Sequence, residues 1–135
     1  MSPTRDCFSG VIRVRNMELG IQSRTAAVAA GTAGLGLGTA KALAAEGVRV
    51  VVCGRSQEKL DNALVEIGNG AQGFICDVST DRGGREFVDT AIGLLGSVDI
   101  LIANGGGPPP GGFAQTPEEQ YLEALQKNLL SVVAM

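Results

Sequence analysis

The chain has 135 residues, 44% of them hydrophobic, which suits one globular domain; its 20 glycines, without a collagen-like period, point to close backbone approaches. A net charge of −3 with no run of Lys or Arg argues against a nucleic-acid partner, because neutralising phosphates needs clustered cations. Histidine is absent, so no Ser-His-Asp or Cys-His nucleophile and no His-bearing zinc site can be built from these residues.

Residues 1–16 mix Arg5, Asp6, Arg13 and Arg15 with Pro3 and Gly10 and lack the apolar stretch of a signal peptide. They read as an irregular extension, with one domain expected over residues 17–135. Thr25–Ala30 (TAAVAA) is a short buried strand, followed by a glycine cluster and then by AKALAAEG. There Ala40, Leu43 and Ala44 recur at helical spacing before Gly47 ends the helix. The uncharged stretch from Thr25 to Ala40 is too short and too glycine-rich to span a bilayer, so no membrane association and a cytoplasmic location are expected.

Val48–Cys53 (VRVVVC) is β-branched and reads as a strand. Ser56 caps a helix whose Leu60, Ala63, Leu64 and Ile67 share one face. Gln72–Cys76 is a third strand. Arg85–Leu95 is a helix with Phe87, Val88, Ala91, Ile92 and Leu95 inward and Gly96 just past its end. Val98–Ala103 is the fourth strand. The loop 104–115 (NGGGPPPGGFAQ) excludes regular structure. Thr116-Pro117-Glu118-Glu119 then combines an N-cap, a first-position proline and a capping-box Glu, so a helix runs onward from there. Strands separated by helices imply βαβ units and a parallel sheet covered on both faces, a Rossmann-like doubly wound α/β fold. Cys7, Cys53 and Cys76 have no metal-ligand spacing and read as reduced thiols, with Cys53 and Cys76 structural inside apolar runs, and no metal site is expected.

The densest signal is Ala29-Ala30-Gly31-Thr32-Ala33-Gly34-Leu35-Gly36-Leu37-Gly38 between a strand and a helix. Such a turn aims backbone N–H groups and a helix N-terminus at one spot, which suits a pyrophosphate. Two rivals fit less well. A P-loop requires Lys-Ser/Thr where Leu37-Gly38 stand, and a methyltransferase-like G-x-G-x-G would want an acid ending the second strand, where Gly54-Arg55 stand.

The turn, Asp77-Val78, Asp99 and Ala103-Asn104-Gly105-Gly106 together resemble the short-chain dehydrogenase/reductase pattern, from about Met17 to the last residue. The NGGGPPPGGF loop is similar to the branch of 3-oxoacyl-(acyl carrier protein) reductase-like proteins. The resemblance lays the family's T-G-x-x-x-G-x-G on Ala29 through Gly36, with Ala29 and Ala30 in place of Thr-Gly; Gly31 is expected to supply the missing backbone freedom one position later. It implies a cofactor groove formed by Gly31, Thr32, Gly34, Leu35 and Gly36, with Asp77 and Val78 at the adenine and Asn104 and Gly106 along the groove. An acid at position 54 would bind a ribose 2′-OH and repel a 2′-phosphate; Gly54 does neither, and Arg55 offers a fork suited to that phosphate. NADP is therefore favoured over NAD.

The family's catalytic Tyr and Lys lie four residues apart on one helix, about 40° beyond a full turn, so the ammonium shares the phenol's groove and lowers its pKa. Here the only tyrosine is Tyr121, with Leu125 four residues on, and Lys127 lies about 240° round the helix, facing away. Tyr121 reads as a packing residue. Asn128 in KNLLSVV matches the family's tetrad Asn and is the one catalytic candidate. The chain thus reads as an N-terminal part, incomplete after the fourth strand and following helix. In a full-length form the resemblance implies NADP(H)-dependent hydride transfer to or from a small-molecule carbonyl or alcohol, by a homo-oligomer. The alternative is a non-catalytic dinucleotide-binding fragment or pseudoenzyme.

Overall fold

The computed structural model describes residues 18–107 and 110–135; the extension read over residues 1–16 and Cys7 lie outside the described residues. In chain order the elements are β1 (Thr25–Val28), α1 (Gly34–Ala45), β2 (Arg49–Gly54), α2 (Gln57–Ile67), β3 (Gln72–Ile75), α3 (Asp81–Leu95) and β4 (Ile100–Ile102). A single 3₁₀ turn (Phe113–Gln115) precedes α4 (Glu118–Leu125), a π-helical turn (Gln126–Leu130) and α5 (Ser131–Ala134). The strands pair in parallel in the order β3-β2-β1-β4, the doubly wound α/β arrangement the sequence implies.

Both faces of the sheet are covered, which is why the strands read as unbroken apolar runs. Ala26, Val28, Val50 and Val52 pack with Ala40, Ala44, Leu60, Ala63 and Ile67 of α1 and α2. Ala27, Ala29, Val51 and Cys53 pack on the other face with Phe87, Ala91 and Leu95 of α3. Phe87 is fully buried against Phe74, with ring centroids 5.9 Å apart. Each large side chain so buried contributes about 1.5–3 kcal/mol. Ser56 Oγ caps α2 by accepting from the Lys59 N–H at 3.4 Å, and Gly96 ends α3 in the left-handed conformation at φ +85°, as their positions predict.

Several boundaries differ from the sequence reading. Helix α1 begins at Gly34, not Ala40, and α3 begins at Asp81, not Arg85, with Thr80 Oγ1 accepting from the Gly83 N–H at 3.0 Å. In both, helical glycines with poor propensity are retained because a neighbouring backbone leaves no room for Cβ: a methyl on Gly36 would lie 2.5 Å from the Ala30 carbonyl oxygen, and one on Gly83 would overlap that of Asp77. Strand β1 stops at Val28, β2 is Arg49–Gly54 instead of Val48–Cys53, β3 stops at Ile75, and β4 keeps only Ile100–Ile102. Thr116 does not cap α4. Pro117 takes that position without a side-chain bond, and the Thr116 hydroxyl donates instead to the Gly112 carbonyl at 2.9 Å.

The loop after β4 holds the Phe113–Gln115 turn, on which Tyr121 packs edge-on at 6.0 Å between centroids while its hydroxyl donates to the Phe113 carbonyl at 3.1 Å. The π-helical turn is tied to α3 by Gln126 Nε2, which donates to Asp81 Oδ1 at 2.7 Å. Ser131, buried against α3, donates its hydroxyl to the Lys127 carbonyl at 2.6 Å.

Candidate functional site

The chain lays β2 and β3 on one side of β1 and returns to lay β4 on the other. Connections leaving β1 and β4 therefore diverge at their carboxyl ends and open a crevice, the place where ligands bind in open α/β sheets. A cleft of about 850 Å³ opens there, lined from the β1–α1 turn by Thr32, Ala33, Gly34 and Leu35 and from the β2–α2 turn by Gly54, Arg55, Ser56 and Lys59. Cys76, Asp77, Val78 and Ser79 follow β3, and Asn104, Gly105, Gly106 and Gly107 follow β4.

The β1–α1 turn is shaped by two neighbours. Ala30 itself adopts the left-handed conformation, at φ +48°, so the freedom expected of Gly31 is taken one residue earlier. Gly31 serves a different need: its N–H donates to the Cys53 carbonyl at 2.9 Å, and a Cβ there would lie 2.8 Å from Val52 Cβ. Gly34 is also left-handed, at φ +53°, and leaves open space beside the cleft. Asn104 closes the crevice floor. Its Nδ2 donates to the Ala29 and Ala30 carbonyls at 3.3 Å each, and a Cβ on Gly36 would lie 2.8 Å from that nitrogen. Gly31 and Gly36 thus stand behind the wall and support it, whereas Thr32, Gly34 and Leu35 form it.

The wall carries three cations, Arg55, Lys59 and Lys127, and one carboxylate, Asp77. Hydrogen bonds from Ser79, hydroxyl first and backbone N–H second (3.0 Å), hold the Asp77 carboxyl below the usual range, and Arg55 and Lys127 add to this. Asp77 therefore stays ionised and acts as an acceptor. Cys53 lies deep beneath the floor, where burial pushes its thiol up to about 12, and burial raises Cys76 too; neither behaves as a nucleophile. Among the described residues no cluster of three metal-ligating side chains occurs, and no helix is long and apolar enough to cross a membrane.

Of the residues singled out from sequence, the structure brings Thr32, Gly34, Leu35, Arg55, Asp77, Val78, Asn104 and Gly106 to one cleft. Asn128 is not among them: it is exposed on the π-helical turn, and its Nδ2 donates to the Ala124 carbonyl at 2.9 Å. Lys127 faces the cleft, with its ammonium paired to Glu123. Sequence reasoning missed Lys59 and Lys127 as cleft residues. The signal for Lys59 was at hand, since Ser56 caps the turn that carries it.

A sequence profile of the family described as short chain dehydrogenase matches residues 24–135. Dehydrogenase/reductase SDR family member 4 of Bos taurus is 34% identical over 113 residues, 81% of this chain and 40% of that protein. An actinorhodin polyketide ketoreductase variant solved with NADPH superposes with a TM-score of 0.75 at 36% identity, over 83% of this chain and 44% of the other. A Pseudomonas aeruginosa RhlG/NADP active-site complex gives 0.76 at 27% identity, over 84% and 45%. The chain thus spans 40–45% of the length of these relatives.

Proposed function

This chain belongs to the short-chain dehydrogenase/reductase family, and we propose that its cleft binds NADP(H) in preference to NAD(H). The carrying observation is at the β2–α2 turn, where Arg55 lines the cleft directly after Gly54 and no acid stands to meet a ribose 2′-OH. The residues fit a dinucleotide. Glycine at position 34 opens space at the N-terminus of α1 for a pyrophosphate, and Asp77 is an ionised acceptor on the opposite wall. Thr32, Gly34 and Leu35 would hold the pyrophosphate, Arg55 the 2′-phosphate, Asp77 and Val78 the adenine, and Asn104 and Gly106 the nicotinamide side. The nicotinamide, when bound, supplies or accepts the hydride.

In a full-length protein this arrangement serves reduction of a ketone or oxidation of an alcohol, with Asn128 as the tetrad Asn, in a cytoplasmic homo-oligomer. The ketoreductase likeness favours a 3-oxoacyl or related ketone as substrate class. The second reading, a dinucleotide-binding protein without turnover, applies to these 135 residues by themselves. Tyr121 spends its hydroxyl on the Phe113 carbonyl, Leu125 stands four residues on, and Asn128 is outside the cleft. No Tyr-Lys pair here can move a proton.

Titrating the purified chain into NADPH and following nicotinamide fluorescence tests the binding claim. Saturable enhancement, competed by NADP⁺ and far less by NAD⁺, is expected; no change at any protein concentration contradicts it.

A further inference from the structure

A second hollow, of about 520 Å³, runs along α1 from Gly34 to Glu46 and is bounded by Leu19 and Ile21, which lead into β1. Its surface is apolar where water meets it: Leu35 is 87% exposed and Leu19 53%. Gly38 lines it as well, and a Cβ there would meet nothing within 4 Å among the described residues. Glycine is a poor helix former, so the backbone of α1 is bare at a point where no described residue needs the room. Two observations bear on what covers it. Gly20, at φ +66°, turns the chain between Leu19 and Ile21, so the N-terminal residues arrive at the rim of this hollow. Among those residues, positions 8–15 (FSGVIRVR) alternate. In an extended chain Phe8, Gly10, Ile12 and Val14 fall on one side, with Ser9, Arg13 and Arg15 on the other.

We infer that the N-terminal segment of this chain seats in the hollow along α1, with Phe8, Ile12 and Val14 inward and Arg13 and Arg15 toward the acids at the rim. The inference is independent of the cofactor reading. Reach is sufficient. From Leu35 to Glu46, α1 measures about 17 Å at ~1.5 Å per residue, a distance that about five extended residues cover. Residues 15–17 then join Val14 to the described chain. Charge agrees with this seat. Arg5, Arg13 and Arg15 outnumber Asp6 in the segment, whereas the rest of the chain has more acids than cations. Glu46 at the rim and Glu18 beside Leu19 have no cation partner among the described residues. Gly34 and Leu35 line both the hollow and the cleft, so the seated segment adjoins the turn that forms the cleft wall.

The test uses Cys7 of the full chain as a reporter. Cys53 and Cys76 are buried and burial raises both thiols, so a methanethiosulfonate nitroxide takes Cys7 first. The alternation puts Cys7 on the Arg13 side, away from the hollow. Paramagnetic broadening of backbone amide signals is expected at Gly38, Thr39 and Ala42 and not along α3. Ile12→Asp abolishes it from the side of the segment, and Gly38→Leu, which fills the hollow, abolishes it from the side of α1. Broadening that survives either substitution means that the segment is only tethered nearby, and overturns the inference, as does no broadening of α1 in the wild type. Mixing nitroxide-bearing chain with isotope-labelled chain that lacks the nitroxide separates the remaining occupant. Broadening as strong in the mixture as within one chain assigns the hollow to a second copy and overturns the inference too.

Discussion

A side chain at position 54 and the side chain of Thr32 compete for one space. A Cβ built on Gly54 falls 2.8 Å from Thr32 Oγ1 and 3.2 Å from Thr32 Cβ. The bare end of β2 is therefore tied to the β1–α1 turn. With Thr32 in place, the position that would carry an acid for a ribose 2′-OH is closed to any side chain, and Arg55 is the first residue able to reach the cleft.

This pairing predicts a coupled stability change. Gly54→Ala forces Thr32 to rotate or the turn to shift and costs about 1–3 kcal/mol, the range for overpacking. Thr32→Gly alone removes the obstacle. In the double variant the cost of the alanine largely disappears, giving a coupling of about 1–2 kcal/mol by urea unfolding. Additive losses would mean that the two positions do not meet.

Ala30 offers a test of backbone strain. It holds φ +48°, a conformation that costs a non-glycine residue about 1–2 kcal/mol, against the smaller entropic cost of placing a glycine there. Ala30→Gly is accordingly expected to raise stability by up to about 1 kcal/mol and to leave the cleft intact. Destabilisation of that size would show that the alanine methyl makes packing contacts that outweigh the strain.

Much of this architecture was legible in the sequence, and the failures have a common cause. Alternation of β-branched runs with amphipathic helices identified four strands, and the Ser56 cap and Gly96 stop were placed to the residue. Propensity failed where helices begin with glycines, because Gly36, Gly83 and Gly84 are kept for close approach to the Ala30, Asp77 and Ser131 backbones rather than for helix formation. Such contacts are tertiary and leave no periodic trace. The cleft residues near each βα turn were found because glycine and charge mark them. Lys59 and Lys127 escaped because a lysine on a helix looks alike whether it faces solvent or a groove, and Asn128 lies outside the cleft although its sequence neighbour lies within it.

The clasp at the other end of the sheet sets an acid dependence. Asp99 Oδ2 accepts from the Thr25 N–H at 2.9 Å and from its hydroxyl at 3.0 Å, and the Asp99 N–H returns a bond to that hydroxyl at 3.0 Å. The Thr25 backbone bond first, then its hydroxyl and Arg24, hold the Asp99 carboxyl below the usual range. A lowered native pKa gives stability that is complete above the unfolded value of about 3.9 and is lost as pH falls through the native one. Asp99→Asn should lower the urea midpoint at neutral pH and converge on the wild type as pH falls below the unfolded value and through the native one. A gap that stays constant throughout acid titration would show that the carboxylate charge is not what holds the clasp.

Exposed apolar surface predicts association. Strand β4 is an edge with Leu101 39% exposed, and Leu122, Leu125, Leu129, Leu130 and Val133 lie open along α4, the π-helical turn and α5. An uncovered edge beside an apolar helix face invites pairing. Sedimentation velocity of the 135-residue chain should show a mixture of oligomers that Leu101→Lys together with Leu129→Lys shifts toward monomer. A single monomeric species of the wild type at tens of micromolar would contradict this.

The central claim, that this cleft takes NADP through Arg55, is tested most directly by calorimetric titration of NADP⁺ and NAD⁺ into the wild type and Arg55→Ala. A charge-assisted hydrogen bond contributes about 1.5–3 kcal/mol, so the variant should lose about 10- to 150-fold in NADP⁺ affinity. NAD⁺ affinity should remain within about 2-fold, because that ligand has no 2′-phosphate to lose. Equal losses for both cofactors, or none for either, would contradict the account.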